Sequence, residues 1–111
     1  MNQIIENTLI IVPAYNEEKV IGKLLKELKE YLPLLDVIVI NDGSTDETAA
    51  IASKAGVKVL NIACNLGVGG AVQAAFQYAF EKGYHWIIRI DGDGQHPPGE
   101  ILKLVSAMKE D

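Results

Sequence analysis

The sequence predicts an α/β fold: an open parallel sheet in the order βαβαβαβα, making one domain over residues 1–111. Three observations predict it. Four short β-branched runs alternate with four helical patterns. Three of those runs are almost continuously apolar, as strands buried on both faces of a parallel sheet must be. The unusual polar residues gather just after the runs, where ligands of open parallel sheets bind.

The first run is Thr8–Val12 (TLIIV), with Pro13 expected to end it. Val20, Ile21, Leu24, Leu25, Leu28 and Leu32 then repeat at helical spacing, with Lys23, Lys26, Glu27 and Lys29 on the other side. Asn16 is the expected N-cap of that helix, and Glu17 and Glu18 suit the positive end of its dipole. The second strand is expected over Val37–Asn41. A capping box beginning at Ser44 should start the second helix, which stops at Gly56. Val57–Asn61 is the third strand, followed by the small-residue helix GGAVQAAFQYAFEK, which stops at Gly83. Trp86–Asp91 is the fourth strand. After Pro97 and Pro98, a last helix places Ile101, Leu102, Leu104, Val105 and Met108 on one face.

Bulk properties narrow the function. The chain has 111 residues, 49% of them hydrophobic and 23% charged, which argues for a packed core rather than disorder. Its net charge of −5 argues against nucleic-acid binding, which needs a basic face. An anionic ligand would need a metal to hold it here. Cys64 is the one cysteine, so no internal disulfide forms and a reducing compartment fits. No signal-peptide pattern opens the chain and no apolar run approaches a membrane span. A cytoplasmic location is expected, at the cytoplasmic membrane face in a longer form.

Each strand end carries its own chemistry. After the first, "PAYNEE" offers Tyr15 as a flat surface for a base and Glu17 as an acceptor. After the second, "NDGSTDET" places Asp42 inside the crevice, where it could accept from a nucleobase N–H or a ribose hydroxyl. Ser44 and Asp46 alone read as turn and cap. After the third, "NLGVGGA" fails as a dinucleotide fingerprint: it follows the third strand, and Val72 stands where the last glycine belongs. After the fourth, "DGDGQHPP" gathers Asp91 and Asp93 one residue apart. Buried carboxylates are costly unless paired or bound to a cation. Oxygen ligands at this spacing fit Mg²⁺ or Mn²⁺, with positions left for substrate phosphates. Gln95 could add a neutral oxygen. His96 reads as structural, and Arg89 as a strand ion pair or a group turned toward the acids.

In this order and spacing, "VPAYNEE", "VIVINDGSTDET", "NLGVGGA" and "IDGDGQHPP" resemble the family-2 glycosyltransferases of the GT-A fold. The last form is closest to the dolichol- and polyprenyl-phosphate sugar transferase branch. The resemblance spans about Thr8 to Met108. It implies the Rossmann-like, nucleotide-sugar-binding half of a GT-A fold, with strand order 3-2-1-4. It implies inverting transfer from a UDP- or GDP-sugar, with polyprenyl phosphate as an acceptor. Pro13, Ala14, Tyr15 and Glu17 would line the nucleotide pocket, Asp42 would contact the base, and Asn65 and Gly67 would flank the nucleoside. Asp91 and Asp93 match the metal-holding DxD motif, with Asp91 also at the nucleotide and Gln95 as the added ligand. Alanine is commoner than Gly92 between the two aspartates, a difference expected to leave the metal chemistry intact. The family's catalytic domain is longer than this chain, so the acceptor-binding half is expected to be absent and no residue is assigned as catalytic base.

Two other readings compete. "DGDG" after an apolar strand also suits a haloacid-dehalogenase-type phosphatase, but that motif should open a domain and be followed by Thr or Val, where Gln95 stands. A non-catalytic nucleotide-binding fragment is the other. Self-association as a two-fold dimer is expected, because the fourth strand would form an apolar, unprotected sheet edge.

Overall fold

Strand β1, Thr8–Ala14, is buried at all seven residues, and the whole sheet is arranged around it. In the computed structural model, which describes residues 7–62 and 67–92, β1 lies between β2 (Asp36–Asp42) and β4 (Trp86–Arg89), and β3 (Lys58–Ile62) flanks β2. All three pairings are parallel and the order is β3-β2-β1-β4. The expected order 3-2-1-4 is therefore observed. The last helix expected from sequence lies outside the described residues.

The two-residue period of a strand sorts the core into two layers. Ile10, Val12, Val39, Ile88 and Ile90 face α1 (Ile21–Tyr31) and α2 (Thr48–Lys54), and pack on Ile21, Leu24, Leu25, Leu28 and Ala52. Leu9, Ile11, Ile38 and Ile40 face α3 (Gly67–Glu81), which presents Ala71, Ala75 and Ala79. Alanines at four-residue spacing make one smooth stripe, so α3 lies close to the sheet. The chain steps one way from β1 to β3 and then crosses back to β4. With right-handed crossovers, that reversal puts α3 on the opposite face from α1 and α2. It also makes the gap between the ends of β1 and β4 the switch point of the sheet.

Tyr84, just before β4, donates a 2.6 Å hydrogen bond to Asp36 at the start of β2. Burial, and next this bond, raise its hydroxyl pKa well above the ordinary tyrosine value.

Three local expectations are corrected. Pro13 does not end its strand: β1 continues to Ala14, with Pro13 opposite Ile40. Its carbonyl accepts the amide of Gly92 at 3.1 Å, but it has no N–H to return on that side. The strand assigned to β4 accordingly stops at Arg89, although Ile90 still donates to Ile11. Nor do Asn16 and Ser44 cap the helices that follow them. Asn16 takes a positive φ of 53°, α1 begins only at Ile21, and α2 begins at Thr48.

The caps instead cross between loops. The amide of Asn16 donates to Ser44 Oγ (2.9 Å), that of Glu17 to Thr48 Oγ1 (2.9 Å), and that of Glu18 to Asp46 Oδ2 (3.2 Å). In return the amide of Thr45 donates to Asn16 Oδ1 (2.9 Å) and that of Glu47 to Glu18 Oε1 (3.0 Å). Asp46 Oδ1 accepts the Thr48 amide at 3.0 Å as well as the Thr48 hydroxyl. Helix starts leave backbone donors without partners. Here each loop supplies acceptors for the other.

Gly92 closes the other side of the sheet end. A Cβ placed there would stand 3.0 Å from both the Pro13 carbonyl oxygen and Ala14 Cβ. The commoner alanine would fit only if the end of β1 moved.

Two predictions arise here. For Asp46, burial acts to raise the carboxyl pKa, but the bonds from the Thr48 hydroxyl, Thr48 amide and Glu18 amide outweigh it and hold the pKa below 3.8. A lowered folded-state pKa contributes stability that is full above the unfolded value and is lost as pH falls through the folded one. Urea midpoints of the wild type and Asp46→Asn should therefore differ at pH 7 and converge as pH drops below about 4; a gap that stays constant would show that the charge is irrelevant. For Gly92→Ala, overpacking costs about 1–3 kcal/mol, against an entropic gain of about 0.4–1 kcal/mol. A net loss of thermal stability is expected by calorimetry.

Candidate functional site

The polar residues singled out in the sequence meet at the carboxyl end of the sheet. A pocket of about 360 Å³ is lined by Pro13, Ala14, Tyr15, Glu17, Asp42, Ala71, Arg89, Asp91 and Gly92. This volume lies in the range of small-molecule sites. The strand period explains the convergence. Pro13 pairs with Ile40, and Ile11 pairs with both Ile38 and Arg89. Asp42 and Arg89 therefore lie on the same sheet face as Ile38, Ile40 and α3, and Asp91, two residues beyond Arg89, follows them.

The side chains differ in setting. Asp42 is buried, at 4% exposure, at the end of β2. Tyr15 is exposed and walls the mouth. Asp91 is half-buried. Arg89 holds its Oδ1 through Nε at 3.0 Å and Nη2 at 2.9 Å. Next to Asp42, on the opposite sheet face, Asn41 Nδ2 donates to Asn61 Oδ1 at 2.9 Å, while Asn41 Oδ1 accepts the Ser44 amide at 3.2 Å. Gly43 makes the turn out of β2 at a φ of 73°, which favours glycine.

Of the expected site residues, Pro13, Ala14, Tyr15, Glu17, Asp42 and Asp91 are brought together. Gly67 is the first residue of α3. Asn65, Asp93 and Gln95 lie outside the described residues. Ala71 was not expected; its small side chain on the inner stripe of α3 lets the helix border the pocket. Arg89, left open between a strand ion pair and a group turned toward the acids, lines the pocket and pairs with Asp91.

Among the described residues, no cluster of three or more potential metal ligands occurs. Asp91 nonetheless brings a half-exposed carboxylate, an oxygen donor, to the switch point. Such donors suit a hard divalent cation. A larger hollow of about 620 Å³ lies at the opposite end of the sheet, among Lys29, Leu32, Asp36, Lys58, Tyr78 and Tyr84. Its size does not make it the better candidate. It sits at the amino ends of the strands, and Lys58 is already stacked 5.4 Å from the Tyr78 ring. No described helix is long and apolar enough to cross a membrane.

Comparison with known proteins agrees with this geometry. The glycosyl transferase family 2 model matches residues 9–111. The polyprenol monophosphomannose synthase of Mycolicibacterium smegmatis is 30% identical over 109 residues, covering 93% of this chain and 41% of that protein. The undecaprenyl-phosphate mannosyltransferase of Micrococcus luteus is 34% identical over 106 residues, covering 91% of this chain and 44% of that protein. The chain thus spans about two-fifths of the length of these relatives. Among solved structures, glucosyl-3-phosphoglycerate synthase from Mycobacterium tuberculosis in complex with UDP superposes with a TM-score of 0.78 at 25% identity, over 96% of this chain and 41% of that one. That enzyme has also been solved with Mn²⁺, UDP and glucosyl-3-phosphoglycerate, in a structure that matches with a TM-score of 0.75 at 23% identity, over 94% and 40% of the two chains. With the family model matched over nearly its whole length, on a sheet of the GT-A type, this chain belongs to glycosyl transferase family 2.

Proposed function

We propose that this segment binds the nucleotide-diphosphate sugar donor of a glycosyltransferase that inverts the anomeric centre. One observation carries the reading: Tyr15, Glu17, Asp42 and Asp91 come from three separate strand ends yet line one pocket at the switch point of a family-2 sheet. The Tyr15 ring offers a face for the base. Asp42, which is buried, accepts from a base N–H or ribose hydroxyl. Asp91, with Asp93 and Gln95, would hold Mg²⁺ or Mn²⁺ against the diphosphate, and Asn65 and Gly67 would flank the nucleoside. Bound there, the cation would neutralise charge developing on the leaving diphosphate.

The relatives support a polyprenyl phosphate acceptor, since two are named for polyprenol and undecaprenyl phosphate chemistry. A phosphate oxygen is already anionic and attacks the anomeric carbon without a base. The bond to the diphosphate breaks with its electron pair on the leaving group. With such an acceptor the whole protein would work at a membrane surface, the cytoplasmic face in this proposal. UDP-sugars and GDP-sugars are both donors to test. Family membership gives the phosphatase reading no support.

Calorimetry with UDP and GDP, each with Mn²⁺ and with a chelator, tests the proposal. Nucleotide affinity should rise with the metal, and equal affinities in both conditions would refute it. Asp42→Ala should weaken the preferred nucleotide about ten- to a hundredfold, the loss of one charge-assisted hydrogen bond worth about 1.5–3 kcal/mol. Binding of bare diphosphate with metal should not change. Equal losses for both ligands would make Asp42 a structural residue instead.

The reading extends to the sheet edge. Trp86 and Ile87 on β4, and Phe76 and Phe80 on α3, are exposed apolar side chains. An edge strand of this kind favours two-fold self-association. Sedimentation velocity should show a dimer that Ile87→Lys disperses; a wild-type monomer at high concentration would end the idea.

A further inference from the structure

Among the described residues that line the pocket, Glu17, Asp42 and Asp91 are acidic and Arg89 is the one cation. An incoming diphosphate is itself an anion, so the placement of that cation matters. Arg89 and Asp91 are two residues apart, and both contacts of the guanidinium fall on Oδ1. A guanidinium bound in its strongest geometry gives one N–H to each of two oxygens. Here that fork is not matched. The side chains are 43% and 38% exposed, and an ion pair this open to water is weak.

We propose that Arg89 is a transferable counter-charge of the donor site. It holds Asp91 while the pocket is empty, and it moves to a phosphate of the nucleoside diphosphate when a divalent cation takes Asp91. The inference rests on the donor-site reading above. A cation on Asp91 would face the guanidinium across one carboxylate oxygen, and like charges repel at that distance. The arginine stem is long enough to turn away, and a phosphate offers the paired oxygens that the fork needs. The ion pair is weak, so it opposes the exchange little.

This role has a signature of opposite signs. Arg89 should oppose binding of the metal alone and favour binding of nucleotide with metal. A residue that only orients Asp91 would favour both. The test uses Mn²⁺ alone, read by electron paramagnetic resonance, and then UDP and GDP at saturating Mn²⁺, read by calorimetry. Arg89→Gln should bind Mn²⁺ several-fold more tightly and the preferred nucleotide about tenfold more weakly, and Arg89→Lys should recover part of the nucleotide loss. Unchanged nucleotide affinity in Arg89→Gln overturns the proposal. So does weaker binding of Mn²⁺ alone. Failure of the donor-site reading shows separately, in the wild type, as nucleotide binding indifferent to Mn²⁺, and it removes this inference as well.

Discussion

The reciprocal capping between the β1–α1 and β2–α2 loops is the constraint on which the site depends. Tyr15 and Glu17 stand on one of these loops and Asp42 at the root of the other. A shared pocket needs the two loops to keep one relative position. Backbone donors at Asn16, Glu17 and Glu18 end on Ser44, Thr48 and Asp46, and donors at Thr45 and Glu47 end on Asn16 and Glu18. Each bond is modest, about 0.5–1.5 kcal/mol. Their combined effect is geometric: neither loop can shift without stranding donors of both. The left-handed backbone of Asn16, φ 53°, is held in that arrangement.

The opposite wall is set by close backbone approach rather than by side-chain bonds. Pro13 supplies a carbonyl to Gly92 and withholds an N–H from β4. The absence of a Cβ at Gly92 lets the chain pass against Ala14. The two walls are therefore of different kinds. One is a network of replaceable polar contacts, and the other is a packed contact in which a single methyl group has nowhere to go.

Much of the fold could be read from residues, because burial on both faces leaves an apolar run that few other structures explain. Thr8–Val12 and Val37–Asn41 are such runs, and the glycines at 43, 56 and 83 all take positive φ where turns were expected. Boundaries near the site were less legible. Asn16 and Ser44 have the chemistry of caps, but their partners lie about 28 residues away in sequence, and local pattern cannot name a partner at that range. Asp42 and Asp91 were legible because a carboxylate at the end of an apolar strand needs a reason. Ala71 was not, since an alanine announces nothing until the helix carrying it is placed. Arg89 was seen, but whether it pairs or points away depends on register, which the β1–β4 pairing supplies.

The two aspartates of the pocket have the same chemistry in opposite settings. Asp42 ends β2, which is covered on both sides by β1 and β3, and it is 4% exposed. Its burial suits an acceptor that discriminates one hydrogen-bonding edge from another. Asp91 follows the strand at the edge of the sheet formed by the described residues, and its side chain is 38% exposed. Water reaches it, and Arg89, which holds it, is itself open to solvent. A ligand of a hard cation needs that freedom, because such ions keep several positions for water and phosphate. A buried pair at that position would have to be broken at large expense before any metal could bind. The location of each strand in the sheet, central for β2 and peripheral for β4, thus decides which carboxylate can read a ligand and which can exchange one.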